Sequence, residues 1–217
     1  MTHYGLGVTA QSESMSFAGL VGGCQQLFGR AWDVTWGKLP QNNRRMVIID
    51  EATGMSKEMI ASLSSIRSQG VACIEKISSQ KTEAKTRILW LSNPRDGMTV
   101  NEYSSGVEVI KSLTDQPEDI ARWDLAVIVS KTDVPLKEMD QRKRARVPHR
   151  FTSALCHDLI LWAWSREAHE IIITPEAEGA CYALAEEMEK KYSGDFTLVV
   201  GAEQRVKLAR LAVALAA

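Results

Sequence analysis

The central segment of the chain reads Met46-Val47-Ile48-Ile49-Asp50-Glu51-Ala52-Thr53-Gly54-Met55. Its first four residues are apolar, a run that is too short for a helical face and has no polar alternation, so it predicts a strand buried on both faces of a parallel sheet. The run stops at two carboxylates, Asp50 and Glu51. Carboxylates at the carboxyl end of such a strand lie in the crevice where parallel sheets bind ligands, and there they can hold Mg²⁺ and activate a water. The alternative is a buried strand that merely ends in acidic residues.

The composition is that of an ordinary globular protein. The chain has 217 residues, of which 45% are hydrophobic and 24% charged, enough to form a packed core. Its 26 basic and 27 acidic residues give a net charge of −1, so contact with a polyanion requires a local basic patch. No signal peptide opens the chain and no apolar run approaches membrane-spanning length, which predicts a cytoplasmic protein without membrane contact. Reduced thiols and no zinc site are predicted from the wide spacing of Cys24, Cys73, Cys156 and Cys181.

Two further apolar runs, residues 88–91 and 125–129, predict buried strands. The first ends in Ser92-Asn93-Pro94. An amide at the end of a neighbouring strand could hold the water that attacks a γ-phosphate, whereas the alternative for Asn93 is a turn-forming residue before Pro94. Arg122 precedes the second run. It is either a solvated or ion-paired side chain, or an arginine that reaches the phosphates of a neighbouring subunit, as in oligomeric ATPases.

The remaining segments predict further strands, a linker and a helical end. Trp32–Trp36 alternates like a strand, residues 71–77 predict another, and the polar residues 78–83 predict a turn. One helix is predicted between an N-cap at Ser56 and a stop at Gly70. Residues 131–148 predict a charged linker, with a phosphate-binding patch as the alternative. After the linker, helical core faces are predicted for Leu155, Leu159 and Trp162, then for Ala177, Cys181, Leu184 and Met188 after a start at Thr174-Pro175, and finally for Leu208, Leu211, Ala212 and Leu215.

The phosphate-binding loop of P-loop ATPases does not occur in the 217 residues. The glycine-rich opening, Tyr4-Gly5-Leu6-Gly7-Val8-Thr9-Ala10, lacks the pattern Gly-x-x-x-x-Gly-Lys-Ser/Thr, and no other part of the sequence contains it. Asp50 and Glu51 act on a nucleotide only when its phosphates are already held by backbone N–H groups and a lysine. We therefore expect this chain alone neither to bind ATP tightly nor to hydrolyse it.

In order and spacing, these segments resemble the minichromosome maintenance (MCM) branch of the AAA+ helicases over nearly the whole chain. Trp32 to Leu39 is similar in position to the return of the family's helix-2 insert hairpin, whereas Ala52-Thr53-Gly54 departs from its Phe-Asp-Lys. The other similar segments are Gly7-Val8-Thr9-Ala10, the Walker B block Val47-Ile48-Ile49-Asp50-Glu51, residues 67–76 for the pre-sensor-1 hairpin, Ser92-Asn93-Pro94 for sensor 1, Ala121-Arg122-Trp123-Asp124-Leu125 for the arginine finger, and residues 173–177 and 205–216 for the lid.

The resemblance implies an α/β fold, with a P-loop NTPase (AAA+) three-layer core and a parallel sheet, truncated at its N-terminus and followed by a small all-α lid. It implies an AAA+ core over residues 1–130, the charged linker over 131–148 and the lid over 149–217. In the implied sheet, a strand carrying the P-loop lies between residues 88–91 and 125–129. Without it, we expect 88–91 to pair in parallel with 47–49, and 125–129 either to collapse onto 88–91 or to remain a poorly supported edge.

The resemblance also implies catalytic roles. Asp50 would bind Mg²⁺ and the ATP cofactor, Glu51 would polarise the lytic water, and Asn93 would orient that water. Arg122 would act in trans on the ATP of the next subunit.

Two further residues and the assembly are implied in the same way. Arg205 would be a sensor-2 residue at the cofactor, and Lys76 would contact the DNA backbone. The implied protein is a homo-oligomeric ring, a hexamer, that couples ATP hydrolysis to DNA unwinding or translocation and uses a P-loop segment upstream in the same protein. The alternative is a non-catalytic ring or scaffold subunit that keeps the fold and contributes Arg122 in trans.

Overall fold

The computed structural model describes residues 1–12, 15–26, 32–75, 79–95, 97–104, 106–114, 116–130, 132, 133, 135, 151–192, 199 and 201–216. The chain divides into two compact units. The first unit comprises Met1–Met98 and Ile110–Arg122, and the second unit comprises Thr99–Val109 and Trp123–Ala217. The predicted boundaries at residues 130 and 148 stay untested, because the predicted linker lies almost entirely outside the described residues.

The described residues form an α/β architecture. The strands are β1 (Gly7–Gln11), β2 (Gly22–Gln26), β3 (Trp32–Trp36), β4 (Met46–Asp50), β5 (Val71–Glu75), β6 (Ser79–Glu83) and β7 (Arg87–Trp90). The helices are α1 (Phe17–Leu20), α2 (Lys38–Gln41), α3 (Lys57–Ser62), α4 (Ser64–Gln69), α5 (Gly106–Leu113), α6 (Pro117–Ala121), α7 (Ser153–Trp164), α8 (Pro175–Tyr192) and α9 (Gly201–Ala216). None of the described helices is long and apolar enough to cross a membrane.

A three-stranded parallel sheet forms the centre of the first unit. Its order is β1-β4-β7, with Val47 of β4 in register with Val8 and with Ile88. The predicted central strand and its parallel pairing with residues 88–91 are therefore confirmed. β4 is the central strand of this sheet, with β1 on one side and β7 on the other.

The prediction that these strands are buried on both faces is wrong. Val47 and Ile49, on one face of the sheet, are fully buried. On the opposite face Ile48 is only partly buried and its register partner Leu89 is exposed. The described elements thus cover one face of the sheet much more completely than the other, and an apolar run does not by itself indicate how many faces have a covering layer.

Two antiparallel hairpins accompany the sheet. β2 pairs with β3, which confirms the predicted strand at Trp32–Trp36, and β5 pairs with β6. The predicted turn over residues 78–83 is wrong, because Ser79–Glu83 forms β6. A polar segment makes a good strand here since the ladder to β5 satisfies its backbone groups while most of its side chains face solvent.

The predicted helix between Ser56 and Gly70 is present but divided. Ser56 caps it by accepting a hydrogen bond from Met59 N (3.2 Å), and Gly70 ends it in the left-handed region at φ 67°. The helix is interrupted at Leu63, which separates α3 from α4. At this interruption Ser62 Oγ donates to Met59 O at 2.6 Å, a side-chain bond that competes with the backbone ladder.

The predicted buried strand at residues 125–129 is also wrong. This segment lies in the second unit, forms no strand, and leaves Leu125, Val127 and Val129 exposed, with Val127 at 73%. It forms no strand of the parallel sheet, whose order among the described residues is β1-β4-β7. An apolar segment becomes a strand only if a neighbouring strand pairs its backbone groups.

The helical end of the chain is confirmed in its elements and only partly in its packing. α8 begins at Pro175, with Thr174 Oγ1 accepting from Ala177 N at 3.3 Å, as predicted. α8 and α9 pack together, and Ala185 and Gln204 are buried there. The predicted core faces are wrong for α7, where Leu155, Leu159 and Trp162 are exposed, and in α8 and α9, where Leu184 and Leu215 are exposed.

Candidate functional site

The ends of β4 and β7 lie side by side at the carboxyl edge of the parallel sheet. Leu91, just after β7, donates its N–H to Ile49 O at 2.9 Å and accepts a hydrogen bond from Ala52 N at 2.8 Å. These two bonds hold the segment that contains Asp50 and Glu51 against the segment that leads to Asn93. The structure thus brings three of the predicted site residues to one edge, where parallel sheets commonly bind ligands.

Glu51 adopts an unusual backbone conformation at this edge. Its φ of 54° lies in the left-handed region, which non-glycine residues rarely occupy. Asp50 Oδ1 accepts from Glu51 N at 3.0 Å, and the buried Ser12 donates its hydroxyl to Glu51 O. The strand therefore ends abruptly, and Glu51 is exposed at the edge. Strained backbones of this kind cluster at functional sites, which supports a functional role for this turn.

Arg95 ties the two loops at the edge together. Its Nη2 donates to the carbonyl oxygen of the buried Met55 at 2.6 Å, and its Nε is buried without a hydrogen-bond partner among the described residues. Sequence reasoning missed both Arg95 and Ser12. The local signals are weak, since each residue contacts a backbone carbonyl about forty positions away, 40 for Arg95 and 39 for Ser12.

Asn93 is exposed in the loop after β7, where its carbonyl oxygen accepts a hydrogen bond from Ser92 Oγ at 3.0 Å. Both interpretations of this residue fit its position. A turn-forming asparagine before Pro94 and an amide that holds a water at the sheet edge require the same exposed loop. The role of Asn93 stays a prediction.

Arg122 has an ion-pair partner in α6. Its Nη1 lies 3.0 Å from Asp119 Oδ1, and Arg67 Nη1 lies 2.8 Å from the same oxygen. The side chains of Arg67 and Asp119 are each 4% exposed, whereas that of Arg122 is 29% exposed. Arg122 is thus ion-paired in the isolated chain, as one of the two interpretations of its sequence position predicts. Its side chain is also partly exposed, and the other interpretation, contact with the ATP of a neighbouring subunit, stays a prediction.

The other two predicted site residues, Lys76 and Arg205, belong to other segments of the sequence than the loops after β4 and β7. Lys76 lies outside the described residues, directly after β5 and before β6. Arg205 is exposed on α9 in the second unit, with its guanidinium carbon 5.6 Å from the centroid of the Tyr182 ring. This contact packs α9 against α8, and the sensor-2 role of Arg205 stays a prediction.

Asp50 and Glu51 form a donor set that fits Mg²⁺ only in part. The described residues contain no group of three or more His, Cys, Asp or Glu side chains placed to hold a metal. Mg²⁺ is usually bound by one or two carboxylates together with water and substrate phosphates, so a pair of carboxylates at a sheet edge suits an ion that arrives with a nucleotide. Asp50 would hold it, and the ion would neutralise phosphate charge.

No model of a known protein family matches this chain, and no curated protein matches it.

Proposed function

We propose that this chain is part of an MCM-like AAA+ ATPase and supplies the water-activating half of its nucleotide site. One observation carries the proposal: Asp50 ends β4, Glu51 follows it, and Asn93 follows the neighbouring parallel strand β7, whose end is joined to that of β4 through Leu91. Hydrolysis of a γ-phosphate requires a metal-binding carboxylate and a polar group that orients water at one place. In the proposed site Asp50 holds Mg²⁺, Glu51 polarises the water and Asn93 orients it.

In this proposal, the phosphate-binding half of the site lies in residues beyond these 217. The sequence has no Gly-x-x-x-x-Gly-Lys-Ser/Thr pattern, and β7 has a strand partner on one side only among the described residues. An open sheet edge presents unpaired N–H and C=O groups with which another strand can pair. The proposed occupant of that edge is the strand that carries the P-loop in the P-loop NTPase fold, supplied by an upstream segment of the same protein.

The proposed substrate of the motor is DNA, and the proposed assembly is a homo-hexameric ring. The β5–β6 hairpin supports DNA contact, since a two-stranded ribbon with Lys76 after its first strand could carry a cation to the phosphate backbone. Arg122 supports the ring, because its partial exposure suits an arginine that reaches the ATP of the next subunit. Arg205 in the lid is the proposed sensor-2 residue.

A second candidate is a non-catalytic ring or scaffold subunit that provides Arg122 in trans. The same absence of a phosphate-binding pattern favours it. The two candidates differ in whether Glu51 takes part in chemistry.

The test compares ATP turnover of the longest natural polypeptide that contains these residues with that of its Glu51→Gln variant, with and without DNA. For the ATPase, turnover falls by orders of magnitude while ATP affinity persists, because only the water-polarising carboxylate is lost. For the scaffold, neither form hydrolyses ATP, and the protein instead raises the turnover of a partner ATPase through Arg122. Turnover unchanged by Glu51→Gln would contradict the ATPase proposal.

Arg122→Ala and Lys76→Ala separate the proposed roles in the same protein. Arg122→Ala should lower ATP turnover by orders of magnitude and leave ATP affinity nearly intact. Lys76→Ala should weaken DNA binding, flatten its salt dependence and leave basal turnover little changed. The division of roles is wrong if both variants give the same phenotype.

The isolated 217-residue chain serves as a control, and micromolar ATP binding to it in calorimetry would refute the requirement for a separate P-loop.

A further inference from the structure

A buried cluster of two arginines and one aspartate lies in the first unit. Asp119 of α6 accepts from Arg67 Nη1 at 2.8 Å and from Arg122 Nη1 at 3.0 Å, both through Oδ1. Arg67 lies on α4 and also donates through Nη2 to the backbone carbonyl of Asp119. We call Arg67, Asp119 and Arg122 the arginine–aspartate cluster.

The two arginines hold Asp119 unequally. Arg67 is nearly inaccessible, bonds Asp119 through two nitrogens, and lies with its guanidinium carbon 5.6 Å from the centroid of the Trp90 ring of β7. Arg122 bonds Asp119 through Nη1 and keeps more than a quarter of its side chain exposed. Breaking an ion pair costs more the more completely both partners are buried, and Arg67 is far more buried than Arg122. Arg67 is therefore the permanent partner of Asp119, and Arg122 the exchangeable one.

The cluster carries more positive than negative charge. Two guanidinium groups share one carboxylate, which leaves a net charge of +1. Burial lowers the pKa of Arg67 to about 10; Asp119 opposes this shift and Arg122 adds to it. Arg67 therefore stays protonated at neutral pH, and the surplus charge of the cluster is available at the partly exposed Arg122. Guanidinium groups bind phosphate oxygens in a two-pronged geometry, which makes a phosphate anion the fitting ligand.

We propose that Arg67 and Asp119 are positioning residues that hold Arg122 docked in the resting chain and release it to a phosphate group. This inference rests on the proposed function only for the identity of that phosphate, the ATP of a neighbouring subunit. When Arg122 leaves, Asp119 keeps both contacts with Arg67 and no buried charge is left without a partner. The exchange therefore avoids the penalty that a carboxylate with a single arginine partner would incur.

The consequence is that substitutions at Arg67 and Asp119 change phosphate affinity at Arg122 in opposite directions. Arg67→Met leaves Asp119 dependent on Arg122 and lowers the cluster charge, so phosphate binding weakens. Asp119→Asn releases Arg122 and raises the cluster charge, so phosphate binding strengthens. Couplings between groups of this kind correspond to about 5–150-fold in affinity. A purely structural role would instead weaken binding in both variants.

The experiment titrates the 217-residue chain with inorganic pyrophosphate at constant ionic strength and follows the Nε–Hε signals of its arginines by NMR. The signal of Arg122 should shift with saturation while that of Arg67 stays fixed. The apparent affinity should fall at least fivefold in Arg67→Met and rise at least fivefold in Asp119→Asn. Arg210→Met, which removes an exposed arginine of the second unit, is the matched control and should leave the affinity unchanged.

If Arg67→Met and Asp119→Asn do not fold, Arg67→Lys tests whether Arg67 positions Arg122. It keeps a cation beside Asp119 but loses the second donor, so the chain should fold and bind pyrophosphate more weakly than the wild type. An affinity equal to that of the wild type in every folded variant, or a shift of Arg67 equal to that of Arg122, would overturn the proposal. These readouts do not involve ATP hydrolysis. An inactive ATPase with the expected pyrophosphate pattern would refute the proposed function alone.

Discussion

The two units of the chain bury their side chains very differently. The first unit contains all but one of the buried apolar residues among those described, including Ile49, Ile60 and Leu63, and the second contains only Ala185. The most buried ion pair of the first unit and an ion pair of the second differ in the same way. Arg67–Asp119 in the first unit is shielded from solvent, whereas Asp124–Arg210 in the second is exposed. Both units form helices, but among the described residues only the first unit also forms strands and a closed core.

This difference indicates where each unit obtains its stability. Burial of apolar surface contributes about 25 cal/mol per Å², so a unit with one buried apolar residue gains little from its own core. The second unit instead exposes large apolar side chains on α7 and along residues 125–129. Exposed patches of this kind mark surfaces that other segments or chains cover. The comparison predicts that equivalent substitutions have unequal effects in the two units.

The largest expected effect is at the buried ion pair. Asp119→Ala leaves Arg67 buried without its carboxylate and should lower the free energy of unfolding of the first unit by about 3–5 kcal/mol. The matched substitution, Asp124→Ala, removes an exposed partner of Arg210 and should cost less than about 1 kcal/mol. Both losses of unfolding free energy can be measured by guanidinium unfolding followed through hydrogen exchange, at the amides of β4 for the first unit and at those of α9 for the second. Equal losses would mean that burial does not distinguish the two ion pairs.

The next effect compares apolar side chains. Ile49→Ala removes a fully buried side chain from the centre of the sheet and should cost about 2–5 kcal/mol. Leu159→Ala removes an exposed side chain from α7 and should cost less than about 1 kcal/mol. Chemical unfolding of the two variants checks the ratio. If Leu159→Ala proved as costly as Ile49→Ala, the exposed face of α7 would be covered in solution.

Replacement of glycine by alanine should change the free energy of unfolding in opposite directions in the two units. Gly70 ends α4 at φ 67°, and an added Cβ would lie 2.7 Å from Lys85 Cγ, so Gly70→Ala should cost about 1–2 kcal/mol. Gly179 lies within α8, where an added Cβ meets no atom within 4 Å beyond the helix itself, so Gly179→Ala should stabilise by about 0.5–1 kcal/mol. Thermal unfolding by circular dichroism compares them. Destabilisation by Gly179→Ala would reveal a partner against that face of α8.

The sequence predicted the features that depend on local pattern. The short apolar run of β4, the N-cap at Ser56, the stop at Gly70 and the start of α8 each follow from a few neighbouring residues. Residues 125–129 carry nearly the same apolar signal as β4 but form no strand. The difference is a pairing partner, which the composition of a segment does not specify.

In the candidate site, too, local sequence pattern predicts some residues and not others. Asp50, Glu51 and Asn93 could be predicted, because the ends of apolar strands are visible in the sequence. Ser12 and Arg95 were missed because their contacts are with backbone carbonyl groups that every residue possesses. The hydrogen bond between Arg67 and Asp119 joins residues 52 positions apart, and no local sequence pattern predicts it. Sequence patterns thus identify the residues that face a ligand more readily than those that fix their geometry.

The smallest effect concerns a buried charge in the second unit. Burial lowers the pKa of Lys207, although Glu203 and Asp124 partly oppose the shift and Arg210 adds to it. Below its folded pKa the lysine is charged in both states, and the folded state carries the full cost of burying that charge. As the pH rises toward 10.5, the folded state releases its proton before the unfolded state does, so stability increases with pH in this window. Lys207→Met removes the buried charge and should stabilise the second unit at pH 7 by less than about 1 kcal/mol.

The gain from Lys207→Met should shrink as the pH approaches 10.5, because the wild type then loses the same charge. Urea unfolding at pH 7 and at pH 10.5, followed by hydrogen exchange in α9, measures this difference. Lys190→Met is the matched control, since Lys190 is an exposed lysine of α8 and its removal should leave the pH dependence unchanged. A gain from Lys207→Met that stays constant between the two pH values would show that packing of the methionine, and not the buried charge, stabilises the variant. A loss at pH 7 would show instead that the carboxylates of Glu203 and Asp124 stabilise the lysine by more than its burial costs, and would make this charge a source of stability for a unit that has almost no apolar core.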